Sequence, residues 1–171
     1  MKIYLIGFMC SGKTTIGRRL AQITGFDFVD TDRFIEMQQG MTVAEIFAQH
    51  GEAAFREMER DILPVLQKRE YVVVSTGGGM PCHGDNMDMM LACGKVVYLK
   101  TSPEALSRRL IRSHTERPLI KGKTEEELKT YILKQLGERE PVYRHAHITV
   151  QTEDFTMEEL LQSLNLMEEG E

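Results

Sequence analysis

The sequence predicts an α/β fold with a parallel sheet, and three observations carry that expectation. Short apolar runs alternate with helix-patterned segments along the chain. Two of the runs, YVVVS and KVVYLK, are almost unbroken, the pattern of strands buried on both faces. The first run, Ile3–Ile6, empties into Gly7-Phe8-Met9-Cys10-Ser11-Gly12-Lys13-Thr14, a full match to G-x-x-x-x-G-K-[ST]. A strand, a glycine-rich loop and a helix in that order are what a phosphate cradle requires.

Taken in order, IYLI reads as the first strand and Lys13 to Thr24 as the first helix. FDFVD is a second strand ending at Asp30, and TDRFIEMQQG a short helix stopped by Gly40. Thr42 and Glu45 have capping-box spacing. A longer helix is expected from about Glu52, where Phe55, Met58, Ile62 and Leu66 recur at helical spacing, with Pro64 expected to kink or divide it. YVVVS then leads into TGGGMPCHGDN, followed by a helix near Asp85–Cys93 and the strand KVVYLK. Pro103 opens the next helix, its missing N–H costing nothing in the first turn. A basic segment joins that helix to a polar one from about Thr124 to Arg139. HITVQT closes the sheet, and TMEELLQSLNLM gives a last amphipathic helix. With no repeat or linker, residues 1–171 read as one domain.

Composition excludes several classes. No apolar run approaches the ~18 residues of a membrane span, and the N-terminus lacks the pattern of a secretory signal. Cys10, Cys82 and Cys93 lack metal-ligand spacing, so reduced thiols in a cytoplasmic protein are expected. A net charge of -5 argues against nucleic-acid binding. Charge is unevenly placed: RLIRSHTERPLIKGK, 109–123, carries five bases and one acid, a local anion trap on an acidic body. His145 with His147, and Cys82 with His83, gather too few partners for zinc.

In the loop 7–14, backbone N–H groups should wrap the phosphates at a helix N-terminus, with Cys10, Ser11, Gly12, Lys13, Thr14 and Thr15 around them. Lys13 would reach the β- and γ-phosphates and the Thr14 hydroxyl would ligate Mg²⁺. YVVVS ends without an acid, so Asp30 is the candidate to hold the metal through water. Asp32 lies two residues on. It shares Asp30's direction if the chain is still extended, and serves as a helix-terminal residue if it is not. Gly77, Gly78 and Gly79 are either a flexible turn or a place where bare backbone meets a ligand at the sheet edge. Arg56 is either an i,i+4 partner of Glu52 or a site residue. The basic segment has the character of a lid over phosphates, with Arg117 in it, while Arg139 alone reads equally as a solvated charge.

GFMCSGKTTIGRRLA, FVDTD, AEIFAQHGEAAFREMER, STGGG, VVYL, RPLI and REPVYR occur together and in order. That set resembles the shikimate kinase family nearly end to end. The resemblance implies a P-loop NTPase of the nucleoside-monophosphate-kinase type: three layers, a five-stranded parallel sheet, a mobile lid at about 109–123 and a substrate-binding helical region at about 31–60. It implies transfer of the γ-phosphoryl group of MgATP to the 3-hydroxyl of shikimate, in the biosynthesis of chorismate and aromatic amino acids. Lys13, Asp32 and Arg117 would be catalytic, Arg117 swinging onto the ATP phosphates. Asp32 would hold the ring hydroxyls, Arg56 and Arg139 the carboxylate, and Gly78 and Gly79 would donate backbone N–H groups. Partners would be ATP, ADP and shikimate, with no membrane, and a monomer is expected for so small a kinase.

Two departures stand out. Cys10 replaces a usual glycine of the cradle, and the expectation is that it keeps φ < 0 and points its thiol, a candidate for oxidation, away from the phosphates. A lid arginine common near adenine falls on Leu110, between Arg109 and Arg112. Rival readings are a kinase for another small acid such as gluconate, and a nucleotide-binding module that turns nothing over.

Overall fold

A computed structural model describes residues 1–113 and 117–166. Part of the basic run, 114–116, and the end of the last expected helix and of the domain, from 167, lie outside the described residues. Five strands form one parallel sheet: β1 (Lys2–Ile6), β2 (Asp27–Asp30), β3 (Val72–Ser75), β4 (Lys95–Lys100) and β5 (Ile148–Gln151), in the order β2-β3-β1-β4-β5. The helices between them are α1 (Lys13–Thr24), α2 (Thr31–Gln39), α3 (Val43–Gln67), α4 (Asn86–Cys93), α5 (Pro103–Arg112), α6 (Glu125–Tyr143) and α7 (Met157–Ser163).

The near-continuous apolar strands are explained by helices on both faces. Tyr4, Ile6, Val72, Val74, Val96 and Tyr98 pack with α2, α3 and α4 on one side. Ile3, Leu5, Val73, Val97 and Leu99 pack with α1 and α7 on the other. Alternate residues of one strand thus serve opposite cores, as a period of two demands. A third cluster joins Phe8 to Leu106 and Leu110 of α5 and Leu128, Ile132 and Leu136 of α6. It seats the α5–α6 pair on the loop that follows β1.

Strand order decides where a ligand can sit. The chain leaves central β1 toward β2 on one side and later crosses to β4 on the other. The crevice at the carboxyl ends of β1 and its neighbours is the place such sheets bind ligands.

Two helices differ from expectation. α3 joins two helices across a break at Gly51 (φ 82, ψ 172): one from Val43, with the Thr42–Glu45 capping box in place, and the longer one from about Glu52 as expected, which Pro64 does not divide. Those torsions are readily adopted by glycine alone. Pro64 lies on the exposed face, as does Arg60 one turn earlier, so water can satisfy the carbonyl left without its amide partner. By the same means α6 runs through exposed Pro141 to Tyr143, one turn beyond Arg139.

Candidate active site

The loop from Gly7 to Gly12 leaves β1 with glycine at positions that demand it. Gly7 has φ 147, and a Cβ there would lie 2.7 Å from the Leu99 carbonyl oxygen. Gly12 has φ 95 and opens α1. Lys13 is buried and donates from Nζ to the Gly7 and Phe8 carbonyls, both at 2.8 Å, so its stem is threaded under the loop. Burial pushes its ammonium down to about 8, against the pull of the Asp32 carboxylate.

Cys10 overturns the expectation of φ < 0: it sits at φ 61, left-handed. The loop needs that turn here, which accounts for glycine being usual. Nor does the thiol turn away from the site's positive groups, since Arg117 Nη2 donates to Cys10 Sγ at 3.4 Å.

A cavity of about 600 Å³ opens over the loop. Cys10, Ser11, Gly12, Lys13, Thr14 and Thr15 line it from one side, Asp30, Asp32 and Gly78 from another, and Arg109 and Arg117 above. Its volume is that of a small-ligand site. Thr152 and Phe155, just beyond β5, line the cavity as well. Leu110 belongs to the α5–α6 core, whereas Arg109 lines the cavity and its Nη1 donates to the Cys10 carbonyl at 3.1 Å.

Asp30 is held at both carboxylate oxygens by three hydrogen bonds. Its Oδ2 accepts from the Thr14 hydroxyl at 2.8 Å, and its Oδ1 accepts from the Asp32 and Arg33 amides as the N-cap of α2. Register sets Asp30 beside Ser75, and the Ser75 hydroxyl is 3.4 Å from that of Thr14. β2 thus supplies the acid that β3 lacks. A carboxylate and two hydroxyls in one corner form a hard-oxygen set that fits a divalent cation. Among the described residues no cluster of His, Cys, Asp and Glu offers a rival metal site.

The helix has begun by Asp32, so the two carboxylates diverge, and Asp30 rather than Asp32 is the cap. Asp32 is half-buried, with Oδ1 fully enclosed and without a hydrogen-bond partner among the described residues. Burial, then the Asp30 carboxylate, raises its carboxyl to about 6, against Lys13 and Arg117.

The three glycines have φ values open to any residue, and their need is for space. A Cβ on Gly77 would lie 2.6 Å from Glu59 Oε1 and 2.9 Å from Asp32 Oδ1. One on Gly78 would lie 3.4 Å from Arg139 Nη1, and one on Gly79 2.6 Å from Arg56 Nη2. The loop is anchored by Gly77 N donating to Thr31 Oγ1 at 2.9 Å and by the Tyr143 hydroxyl donating to the Gly78 carbonyl at 2.5 Å. Arg56 and Arg139 therefore meet consecutive glycines. Arg139 is buried, its guanidinium 5.4 Å from the Phe8 ring centre. Arg56 donates to Glu59 at 2.7 Å and to Glu52 at 3.1 Å, so the i,i+4 pair is present beside the contact with Gly79.

Ten of the expected residues, including Lys13, Thr14, Asp30, Asp32, Gly78 and Arg117, line the one cavity. Gly79, Arg56 and Arg139 adjoin it through the glycine loop. Sequence reasoning missed Glu59, Ser75 and Tyr143, and left Arg109 undecided against Arg112. Glu59 carried a signal: an acid on the apolar stripe, four residues after Phe55 and three before Ile62. It is fully buried, and burial raises its carboxyl to about 7 against the opposing pull of Arg56.

Comparison with known proteins agrees with this geometry. A shikimate kinase family model matches residues 9–167. A shikimate kinase from Parabacteroides distasonis is 45% identical over 157 residues, covering 92% of this chain and 91% of the relative. The crystal structure of shikimate kinase from Bacteroides thetaiotaomicron superposes with a TM-score of 0.86 at 38% identity, over 96% of this chain and 94% of that one. Shikimate kinase from Acinetobacter baumannii in complex with shikimate gives 0.83 at 38% identity, over 96% and 90%. With a family model matching almost the whole chain and a relative 45% identical over 92% of it, this chain belongs to the shikimate kinase family.

Proposed function

We propose that this chain phosphorylates shikimate with ATP, passing the γ-phosphoryl group to the ring 3-hydroxyl to give shikimate 3-phosphate and ADP. The carrying observation is the pair of guanidiniums on Gly78 and Gly79, directly beside the phosphate loop. Planar forks converging on bare backbone suit a carboxylate, and Asp32, which lines the cavity with Lys13, is the group to receive ring hydroxyls. An acceptor seated there meets the γ-phosphate at the mouth of the loop.

For such transfers the protein contributes position and charge compensation. Lys13 and Arg117 face the phosphates from below and above. Asp32, with its raised carboxyl, accepts the proton of the attacking hydroxyl once ionised. Thr14, with Asp30 reaching the metal through water and Ser75 beside them, would hold Mg²⁺, which when bound neutralises phosphate charge. The segment 109–123 acts as the lid and 31–60 as the acceptor-binding region, Arg109 and Phe155 flanking the base. The enzyme works as a cytoplasmic monomer: one chain supplies every group named, and its three cysteines are free thiols.

The test is ADP release with MgATP against shikimate, quinate, gluconate and nucleoside monophosphates. Release driven by shikimate alone is expected. Equal turnover of gluconate, or no acceptor-dependent release, would overturn the assignment.

A further inference from the structure

Cys10 carries a cost that glycine would avoid. A left-handed φ of 61 disfavours a side chain by roughly 1–2 kcal/mol. Its carbonyl and its thiol are nevertheless both engaged, by an arginine of α5 and an arginine beyond it. Arg109 Nη1 donates to the Cys10 carbonyl at 3.1 Å, a contact any residue could offer. Arg117 Nη2 donates to Cys10 Sγ at 3.4 Å, a contact that exists only because the position has a side chain.

We propose that Cys10 is a positioning residue for phosphoryl transfer, its thiol a catch that holds the Arg117 guanidinium over the phosphate loop. A guanidinium is a rigid plane with five N–H donors, so engaging one nitrogen fixes the direction of the others. Arg117 Nε is enclosed and has no hydrogen-bond partner among the described residues, although Arg117 lines the cavity beside Lys13. An anion brought against the guanidinium would satisfy that donor. Sulfur is a weak acceptor, and a phosphate oxygen forms the much stronger charge-assisted bond. The catch therefore orients Arg117 without competing for it, which is preorganisation. The inference rests on assigning Arg117 to the ATP phosphates.

Cys10→Ala isolates the thiol, because it keeps Cβ and the left-handed penalty and removes only Sγ. Its kcat should fall about 3- to 10-fold, the scale of one modest hydrogen bond, with KM for shikimate unchanged. Cys10→Ser restores an acceptor and should recover most of the loss. In an Arg117→Ala background, Cys10→Ala should cost nothing further, a coupling that a merely structural role would not produce. Cys10→Gly should raise Tm while losing as much kcat as Cys10→Ala, so stability and rate move in opposite directions. A Cys10→Ala enzyme with wild-type kcat beside an impaired Arg117→Ala enzyme overturns the catch alone, as does a Cys10→Ala loss that persists without Arg117. An Arg117→Ala enzyme with wild-type kcat overturns the assignment of Arg117, and the catch with it.

Discussion

Asp32 and Glu59, from different helices, press on the same glycine: a Cβ at Gly77 would stand 2.9 Å from one carboxylate oxygen and 2.6 Å from the other. Neither oxygen has a hydrogen-bond partner among the described residues. Gly77→Ala would strike both at once. Shikimate kcat/KM should fall at least 100-fold, on the scale expected for misplacing the reacting groups. Steady-state kinetics with an unchanged KM for ATP would confine the damage to the acceptor side.

The raised carboxyl of Asp32, about 6, sets a pH dependence. kcat/KM for shikimate reports the free enzyme, so it should decline as pH falls through about 6, where Asp32 takes up a proton. Asp32→Asn should lose roughly 10²–10⁴-fold in rate and flatten that limb. A limb unchanged in the variant would assign it to another group.

Stability should run the other way. The folded state holds protons on Asp32 up to about 6 and on Glu59 up to about 7, where the unfolded chain has released them near 4. More protons bound when folded means stability falls as pH rises through that window. The ligand-free enzyme should therefore lose less Tm between pH 5 and 7, roughly the upper part of that window, when Asp32 is asparagine. Calorimetry across that range is the measurement.

Arg139→Lys keeps the charge and loses the fork. Shikimate KM should rise at least tenfold, about 1.4 kcal/mol, with KM for ATP little changed. An effect on ATP alone would remove Arg139 from the carboxylate clamp. Lys13→Met should instead lower kcat by roughly 10²–10³-fold without unfolding the chain, as loss of one preorganised charge does.

Gly51 and Pro64 separate two causes of helix breaking. Nothing lies within 4 Å of a Cβ built on Gly51, so Gly51→Ala should cost only its backbone strain, about 1–3 kcal/mol by urea unfolding. Pro64→Ala, at an exposed position in continuous helix, should leave stability unchanged or improve it.

These two residues also mark where local sequence stops being informative. Proline announces a break by its own chemistry, but whether the freed carbonyl finds water depends on the face that tertiary packing exposes. Strand runs, caps and the phosphate loop were legible because their causes lie within a few residues. Asp30, Lys13 and the glycine loop were legible as types of chemistry. The partnership of Asp30 with Ser75 was not, because it depends on strand register between segments 45 residues apart in number. Cys10 misled for a different reason: side-chain preference argued for φ < 0, and the turn geometry of the loop prevailed. Glu59 could have been found, since an acid on an apolar stripe calls for a buried cation and Arg56 stood one turn away.

Asp30 has one planar carboxylate with an anchor on each side: Thr14 of the phosphate loop on Oδ2, and the first turn of α2 on Oδ1. A rigid plane cannot rotate at one oxygen and stay still at the other. The nucleotide end of the crevice and the helix bearing Asp32 are thus yoked through a single side chain. To turn that carboxylate is to disturb the phosphate loop and the first turn of α2 together.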